Sequence, residues 1–493
     1  MSNSKPANFF GHTANYAVGN IVRHAVGFAM LPIYTRFLSP ADYGVIALLA
    51  FALALFEPVF GARLSAALPK FYFEAQQDHE KRAVIWTALG LTGLVSTIGA
   101  TGIVVMRGVG ASVLFGDQKY AAAFGIFAVN LLTRPLEDTG MMYLRIHERS
   151  RLFLSVSITK LLLQLALNLL LVVYLEKGVV GAILSGVIST LLIGGALTAY
   201  VAAHEAPAFD AEMMRKMLRF SWPLWIAGFG GLYVGSSGGM YLRIFGSLPD
   251  VGRLELALKF ATAVSMLIWS PFAQQWTPMS YRIYREGNRS KQFQVAFVGI
   301  SAAMFVGGLG ISVFAKPVIG LMATKSFYGA ASAVPILTLG FILNDLRSFF
   351  NFGFLVTDHT KVSGLCQYVM AAVITIGYVI LVPRYGLMGA AVAQCIAFFV
   401  GFIYSSVLSR RYFNSGVRMG PLIAVSIIGI TTYIVCALVS SRGGGAVVFV
   451  VQSAIYIGAV ILIGVVAIRA IASVDSAIAQ YVPRLLRAFV RIT

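Results

Sequence analysis

Charged side chains are scarce in this chain of 493 residues. Aspartate, glutamate, lysine and arginine together make up 12% of it, whereas 58% of the residues are hydrophobic and the mean hydropathy is +0.82. An ordinary soluble domain carries about twice that share of charge, because its surface has to be covered. The scarcity excludes a soluble enzyme, a disordered chain and a nucleic-acid-binding domain. It predicts an all-α polytopic membrane protein.

Cysteine is almost absent, and no nucleotide- or metal-binding motif is present. The three cysteines are far apart in apolar segments, a pattern that predicts neither a disulfide framework nor a metal cage. The sequence has no GxxxxGK[ST] loop and no HExxH motif, so we expect no built-in ATPase, no resident metal and no other cofactor. No cluster of residues has catalytic spacing. We therefore expect a protein that is not an enzyme.

Long apolar segments account for most of the chain. About 14 of them are long enough to cross the ~30 Å hydrocarbon core of a bilayer. Arg23 and His24 interrupt the first apolar run and no small-residue cleavage site follows, so we expect this run to stay as a span rather than to be removed as a signal peptide. The segments run near 14–34, 43–68, 83–106, 120–144, 152–175, 178–203, 217–241, 251–275, 292–315, 328–355, 362–382, 386–408, 421–440 and 446–469.

Acidic residues are half as numerous as basic ones, 19 against 38. With the N-terminus placed inside, 21 of the basic residues fall at cytoplasmic ends and loops, 10 fall on the opposite side and 7 lie within spans. Because basic residues collect on the cytoplasmic side, this bias predicts a multi-pass membrane protein with both termini in the cytoplasm. The last residues, 471–493, alternate apolar and basic positions at helical spacing, which predicts a basic amphipathic helix on the cytoplasmic leaflet.

The chain matches itself at an offset of about 208 residues. Gly44 aligns with Gly252 and Glu137 aligns with Asp345, and several further blocks keep nearly the same offset. Six spans in each repeat insert both halves in the same direction, as two lobes related by pseudo-two-fold symmetry about an axis along the membrane normal. We therefore predict an N-terminal six-helix lobe, a C-terminal six-helix lobe, two additional transmembrane helices and a cytoplasmic tail, over residues 1–208, 209–415, 416–470 and 471–493.

Ionisable side chains occur well inside the predicted spans. Each costs roughly 2.5–3.5 kcal/mol at the bilayer centre, so we expect them to face a protein interior or a wet cavity. Polar residues repeat on one helix face in five spans, which predicts the wall of a hydrated central cavity. The basic residues that we expect to contact an anionic ligand there are Arg23, His24, Arg63, Arg134, Lys160, Lys259 and Arg347.

Some of these side chains also have a structural interpretation. Arg134 with Asp138, and Glu255 with Lys259, are i, i+4 pairs that can neutralise each other between packed helices. Arg63 lies near a cytoplasmic helix end and can extend to the interface, and His24 can be a satisfied interior histidine.

The strongest candidates for an anionic ligand are Arg23 and Lys160, because neither has a partner on its own helix. A second hypothesis assigns the coupling of a proton or sodium ion to acidic residues within the spans. Glu57 lies beside an expected helix kink at Pro58, and Glu137 and Asp345 are related by the repeat. These candidates are Glu57, Glu137, Asp138 and Asp345.

The segment from Leu31 to Gly44, LPIYTRFLSPADYG, resembles the start of the polysaccharide exporter family. This family is the oligosaccharide flippase branch of the multidrug/oligosaccharidyl-lipid/polysaccharide exporter superfamily. Pro40 and Gly44 favour a turn between the first two spans, and Tyr43 suits the membrane interface. The number of spans, the internal repeat and the dispersed intramembrane cations extend the resemblance over nearly the whole chain.

The resemblance implies a flippase that moves a polyprenyl-diphosphate-linked oligosaccharide across the bacterial inner membrane by alternating access, for capsule, exopolysaccharide or O-antigen synthesis. Implied partners are this substrate, membrane lipids and polysaccharide polymerase or export proteins, with no nucleic acid. Two alternatives stay open: a cation-coupled multidrug exporter on the same fold, and a membrane scaffold for polysaccharide enzymes that transports nothing.

Overall fold

The structure is a computed structural model that describes residues 30–60, 64–286, 289–413, 415–441 and 445–474. Within these ranges the chain forms α-helices joined by short turns, and no strand occurs in them. The helices up to the repeat boundary are α1 (Leu31–Phe37), α2 (Pro40–Phe60), α3 (Leu64–Glu74), α4 (Asp78–Val105), α5 (Arg107–Phe115), α6 (Ala121–Ile146), α7 (Ser150–Asn168) and α8 (Gly178–His204).

The remaining α-helices lie between residues 211 and 472. They are α9 (Ala211–Ser236), α10 (Gly238–Phe245), α11 (Leu248–Val264), α12 (Ser270–Glu286), α13 (Arg289–Met322), α14 (Ala330–Val356), α15 (Thr360–Tyr412), α16 (Gly420–Ser441) and α17 (Ala446–Ala472). Two π-helical turns extend this series: Leu169–Tyr174 continues α7, and Ser265–Trp269 joins α11 to α12.

Nine helices in the described ranges are long and apolar enough to cross a membrane. One of them, α15, contains two predicted spans. The chain bends sharply within it at Gly386, whose φ of +51° and ψ of −127° are a conformation that favours glycine. The predicted span in α6 is not one of the nine, although it is 26 residues long, because it contains several charged side chains. The prediction of an all-α polytopic membrane protein is confirmed. The first predicted span before residue 30 and the amphipathic tail from residue 475 lie outside the described residues.

The described chain divides into two compact units between Gly252 and Arg253. The first unit also includes Met322–Ser326. Its interior is formed by α3, α4, α6, α7, α8 and α9, whose apolar faces meet in two clusters. The helix α6 packs against both α4 and α8, and it approaches α8 closely at Gly140, where a Cβ would lie 2.8 Å from that of Leu197. Charged residues on α6 are therefore held at the centre of this unit.

The second unit is built around aromatic side chains. Trp276 of α12 stacks on Phe349 of α14 with ring centroids 4.9 Å apart, and Phe293 of α13 packs edge-on against both rings. Helices α16 and α17 pack on α13 through a smaller apolar cluster that includes Leu309 and Cys436. Aromatic rings bury large apolar areas, so this core gives α14 a firm position within the unit.

Candidate functional site

A buried ion pair joins α6 and α7 in the first unit. The Lys160 Nζ lies 2.7 Å from Oε1 and 2.5 Å from Oε2 of Glu137. The Glu137 residue is 6% exposed, and 21% of the Lys160 side chain is exposed. The polar stripes predicted on these two spans therefore face each other. The sequence offers Lys160 no partner on its own helix, and the fold supplies one from the neighbouring helix.

Two further charges surround this pair. Arg134 and Asp138 are half-buried on α6, one turn before and one residue after Glu137, and both act electrostatically on Lys160. The cluster of Arg134, Glu137, Asp138 and Lys160 thus contains two basic and two acidic groups. Such a cluster is neutral overall, so it can be buried at membrane depth at a lower cost than isolated cations.

The polar stripe of α7 continues from Lys160 to Asn168, which is 1% exposed. The Tyr34 hydroxyl donates to Oδ1 of Asn168 at 2.9 Å, and the Ser185 hydroxyl donates to the same oxygen at 2.8 Å. The Asn168 amide donates in turn to the Gln164 carbonyl at 2.9 Å. Tyr34 and Ser185 are absent from the sequence-based set of site residues. The available signal for Tyr34 is a Tyr-x-Arg sequence that begins at Tyr34 and occurs again at Tyr241, whereas no comparable signal marks Ser185, which lies among small residues.

In the second unit, α14 carries a buried acid and a buried base. Asp345 is 7% exposed, and its Oδ2 has no hydrogen-bond partner among the described residues. Ser265, the first residue of the π-helical turn, lies beside this carboxyl. Such turns often occur at functional sites, because they leave the regular hydrogen-bond ladder of the helix.

Arg347 is 5% exposed and faces α15. Its Nε donates to Oδ1 of Asn344 at 3.1 Å, while Nη1 has no partner in the described part of the chain. The Arg347 Cδ lies 3.1 Å from the position that a Cβ would take at Gly401. The absence of a side chain at Gly401 thus provides the room that the guanidinium stem occupies between α14 and α15.

The two repeats treat their equivalent acids differently. Glu137 and Asp345 align at the offset of about 208 residues and are both buried. Lys160 neutralises Glu137, but the residue at the equivalent position of the second repeat is Tyr368, which is 47% exposed. A lysine therefore pairs with the acid of the first repeat, and no lysine stands at that place in the second.

The remaining sequence-predicted residues fall into two groups. Lys259 forms the expected i, i+4 ion pair with Glu255 at 3.1 Å, and half of its side chain is exposed. Arg23, His24 and Arg63 lie outside the described residues, and the side chain of Glu57 on α2 is also outside them. Within the described ranges, no three histidine, cysteine or acidic residues come together in a way that could hold a metal ion.

Sequence comparison gives one family match and one distant relative. The model of the family described as "Polysaccharide biosynthesis protein" matches residues 12–284. An uncharacterized membrane protein of Methanocaldococcus jannaschii is 23% identical over 224 residues, which is 43% of this chain and 43% of that protein. The match therefore spans less than half of the curated relative.

Solved structures resemble the chain over most of its length. A lipid II flippase MurJ in an inward closed conformation has a TM-score of 0.77 at 14% identity, covering 92% of this chain and 98% of that one. An inward-facing MATE family transporter of the MOP superfamily has a TM-score of 0.60 at 16% identity, covering 79% and 94%. The MATE multidrug transporter DinF-BH has a TM-score of 0.56 at 15% identity, covering 84% and 97%.

At these identities the likeness shows the fold alone, and it confirms the predicted all-α multi-pass architecture. The family model covers more than half of the chain. The protein is therefore a multi-pass membrane protein that belongs to the polysaccharide biosynthesis protein family.

Proposed function

We propose that the protein is a flippase, and not an enzyme, that moves a polyprenyl-diphosphate-linked oligosaccharide across the bacterial inner membrane. The product would serve capsule, exopolysaccharide or O-antigen synthesis. The observation that carries this proposal is the membrane-depth charge cluster around Lys160 in a chain of the polysaccharide biosynthesis family. A diphosphate is the part of such a substrate that is most costly to move through hydrocarbon, so the protein must offer it fixed cations.

The ion pair suggests how the protein provides a cation without a permanent buried charge. Lys160 is neutralised by Glu137 at rest, and an arriving diphosphate competes for the ammonium. Arg134 lies three residues before Glu137 on the same helix face, so it can compensate the carboxylate while Lys160 binds the phosphate. The exchange keeps the total charge of the protein cluster constant. Binding is consequently moderate, as a transporter requires if it is to release its substrate.

Alternating access completes the mechanism. The lobes over residues 1–208 and 209–415 would expose the headgroup first to the cytoplasm and then to the outer side, while the lipid tail remains in the bilayer. The other cations proposed to contact the headgroup are Arg23, His24, Arg63, Lys259 and Arg347. Both termini are proposed to lie in the cytoplasm. Polysaccharide polymerase or export proteins are its proposed partners.

Asp345 is the proposed site of ion coupling. It is the buried acid for which the second repeat has no equivalent of Lys160, and its Oδ2 has no hydrogen-bond partner in the described ranges. Arg347 on the same helix acts electrostatically on this carboxyl, but the free Oδ2 still leaves a place for a proton or a sodium ion. Glu57, Glu137 and Asp138 are further candidates. Of these, Glu137 is the weaker one because Lys160 already pairs with it.

A leaflet assay tests the main proposal. The purified protein is reconstituted in vesicles with a fluorescent lipid-linked oligosaccharide, and a membrane-impermeant glycosidase reports the fraction on the outer face. We expect the protein to equilibrate the substrate between leaflets, and we expect Lys160→Gln to lose most of this activity. In cells, deletion should leave the lipid-linked intermediate on the cytoplasmic leaflet. The proposal would be refuted if the protein left the substrate on one leaflet of the vesicles and its deletion left the intermediate normally distributed in cells.

A second candidate is a cation-coupled exporter of small cationic molecules. The observation that favours it is Asp345 on α14, a buried acid whose Oδ2 has no hydrogen-bond partner in the described ranges and could attract a cation. This candidate predicts drug sensitivity on deletion without accumulation of lipid-linked intermediates. A scaffold that transports nothing predicts instead that neutral substitutions at Arg23 and Lys160 leave polysaccharide export intact.

A further inference from the structure

Basic side chains are concentrated at one end of the second unit. They lie at the end of α12, at the start of α13, at both ends of α15 and just before α16, and all of them are exposed. We call this set the basic end, and its members are Arg282, Arg285, Lys291, Lys361, Arg410, Arg411 and Arg418.

An aromatic cluster holds these helix ends together. Phe413 packs against Tyr284 at 5.6 Å and against Phe293 at 5.5 Å between ring centroids. The neighbouring Tyr412 packs against the His359 ring at 4.2 Å and against Phe354. These contacts connect the end of α12, the start of α13, the end of α14 and both ends of α15. The cations of the basic end therefore belong to one continuous surface.

The polypeptide that leads to α16 is fixed to the same surface. The backbone N–H of Arg418 donates to Oε1 of the buried Gln294 at 2.5 Å. Nη2 of Arg410 donates to the Val417 carbonyl at 3.3 Å. The segment between α15 and α16 is consequently held against the start of α13 by its backbone, and this leaves the charged group of Arg418 exposed.

Acidic residues are few along the segments that form the basic end. In the sequence, residues 281–294, 357–361 and 410–418 contain two acids, Glu286 and Asp358, against eight basic residues. The equivalent segments of the first unit, over 70–82, 145–151 and 204–219, contain nine basic and seven acidic residues. Two of those basic groups are in ion pairs, Arg82 with Glu205 at 3.8 Å and Lys216 with Glu212 at 2.7 Å. The general preference for basic residues in cytoplasmic segments applies to both units, so it does not explain why these segments contain fewer acidic residues in the second unit than in the first.

We propose that the basic end binds the phosphate headgroups of anionic phospholipids in the cytoplasmic leaflet. Two tyrosines favour a lipid surface over a soluble acidic partner. Tyr281 and Tyr412 are 42% and 39% exposed among these cations, and tyrosine is enriched where protein meets the headgroup layer. Exposed basic side chains with few acidic neighbours are attracted to a negatively charged leaflet. The inference rests on the proposed orientation of the chain and does not depend on the transported substrate.

Lipid selectivity of the full-length protein tests this inference. The protein is placed in nanodiscs of equal parts phosphatidylglycerol and phosphatidylcholine, extracted gently, and analysed for retained lipid by native mass spectrometry. The test variant combines Arg285→Gln, Lys361→Gln and Arg411→Gln. The control removes three exposed charges from the first unit, Arg151→Gln, Arg215→Gln and Arg219→Gln. Both variants lose the same net charge, so only the location of the charges differs.

We expect the wild type and the control to retain phosphatidylglycerol selectively. Each basic side chain near an anionic surface contributes about fivefold in affinity, so the test variant should bind it up to roughly a hundredfold more weakly. An equal loss in both variants, or no loss in either, would overturn the inference. A parallel preparation in nanodiscs that also contain polyprenyl diphosphate would overturn the inference if the protein retained that lipid and not phosphatidylglycerol, because this would assign the surface to the substrate. Because the assay contains no transport step, a failure of the proposed flippase activity does not affect its outcome.

Discussion

Gly44 and Gly252 pack against each other with no side chain between them. A Cβ on Gly252 would lie 2.0 Å from the Pro40 carbonyl oxygen and 3.0 Å from the Gly44 nitrogen. A Cβ on Gly44 would lie 2.5 Å from the Leu248 carbonyl oxygen. The two glycines are equivalent in the internal repeat, and both belong to the first compact unit. The first turns of α2 and α11 therefore meet backbone to backbone.

The two turns have the same local structure. Ser39 donates its hydroxyl to Oδ2 of Asp42 at 2.7 Å, and Ser247 donates to Oδ2 of Asp250 at 2.8 Å. In each turn the backbone N–H of the aspartate returns a hydrogen bond to the serine hydroxyl. These capping arrangements satisfy the polar groups of each helix start locally. Each turn can therefore separate from the other without leaving its cap unsatisfied.

Gly252→Ala should disrupt the contact between these turns. A methyl group 2.0 Å from a backbone oxygen cannot be accommodated, so α2 and α11 must move apart. Because both turns belong to the same compact unit, we expect the displacement to distort that unit and to reduce flipping in reconstituted vesicles by about tenfold. Gly102→Ala on α4 is the control, because nothing lies within 4 Å of its added Cβ. Equal activity of both variants would show that the close approach is not needed for transport.

Tyr34→Phe should weaken the polar stripe of α7 only modestly. The substitution removes the hydrogen bond to Asn168 but leaves the bond from Ser185 to the same oxygen. We expect a loss of about 0.5–1.5 kcal/mol in the free energy of unfolding, measured by denaturant titration in detergent micelles. Tyr174→Phe is the matched control, because that ring is 81% exposed. A loss of the same size in the control would mean that the Tyr34 bond contributes nothing specific.

Much of the architecture is predictable from the sequence because the bilayer imposes it. Apolar segments of span length must be helical there, since unsatisfied backbone groups are too costly in hydrocarbon. The bend at Gly386 falls at the first residue of the second of the two predicted spans that α15 contains. The alignment of Gly44 with Gly252 also emerges from the repeat, although their direct contact does not.

The contacts of the candidate site are harder to predict. Spacing along one helix identifies pairs such as Glu255 with Lys259, which the structure contains at 3.1 Å. It gives no information on which two helices pack together, so Glu137 of α6 cannot be identified from the sequence as the partner of Lys160 on α7. The contact between Tyr34 and Asn168 spans 134 residues and is missed for the same reason.

Asp345→Asn should remove the dependence of transport on an ion gradient. The carboxyl is buried, and the neutral amide has nearly the same shape but cannot bind a proton or attract a sodium ion. We expect transport in vesicles to become independent of imposed proton and sodium gradients, while equilibration of substrate without a gradient persists. Asp358→Asn, at an exposed acid just after the end of α14, is the control. A variant that still responds to both gradients would exclude Asp345 as the coupling residue.

The pair of Glu137 and Lys160 can be separated into structural and functional contributions by a double-mutant cycle. Removing one partner leaves the other charge buried, so Glu137→Leu and Lys160→Met should each cost about 3–5 kcal/mol in the free energy of unfolding. The double variant should regain most of this stability, because two apolar side chains can pack between α6 and α7. If Lys160 binds the diphosphate, the restored protein still fails to flip the lipid-linked oligosaccharide. Recovery of both stability and transport would reduce the pair to a packing element and would refute its proposed role.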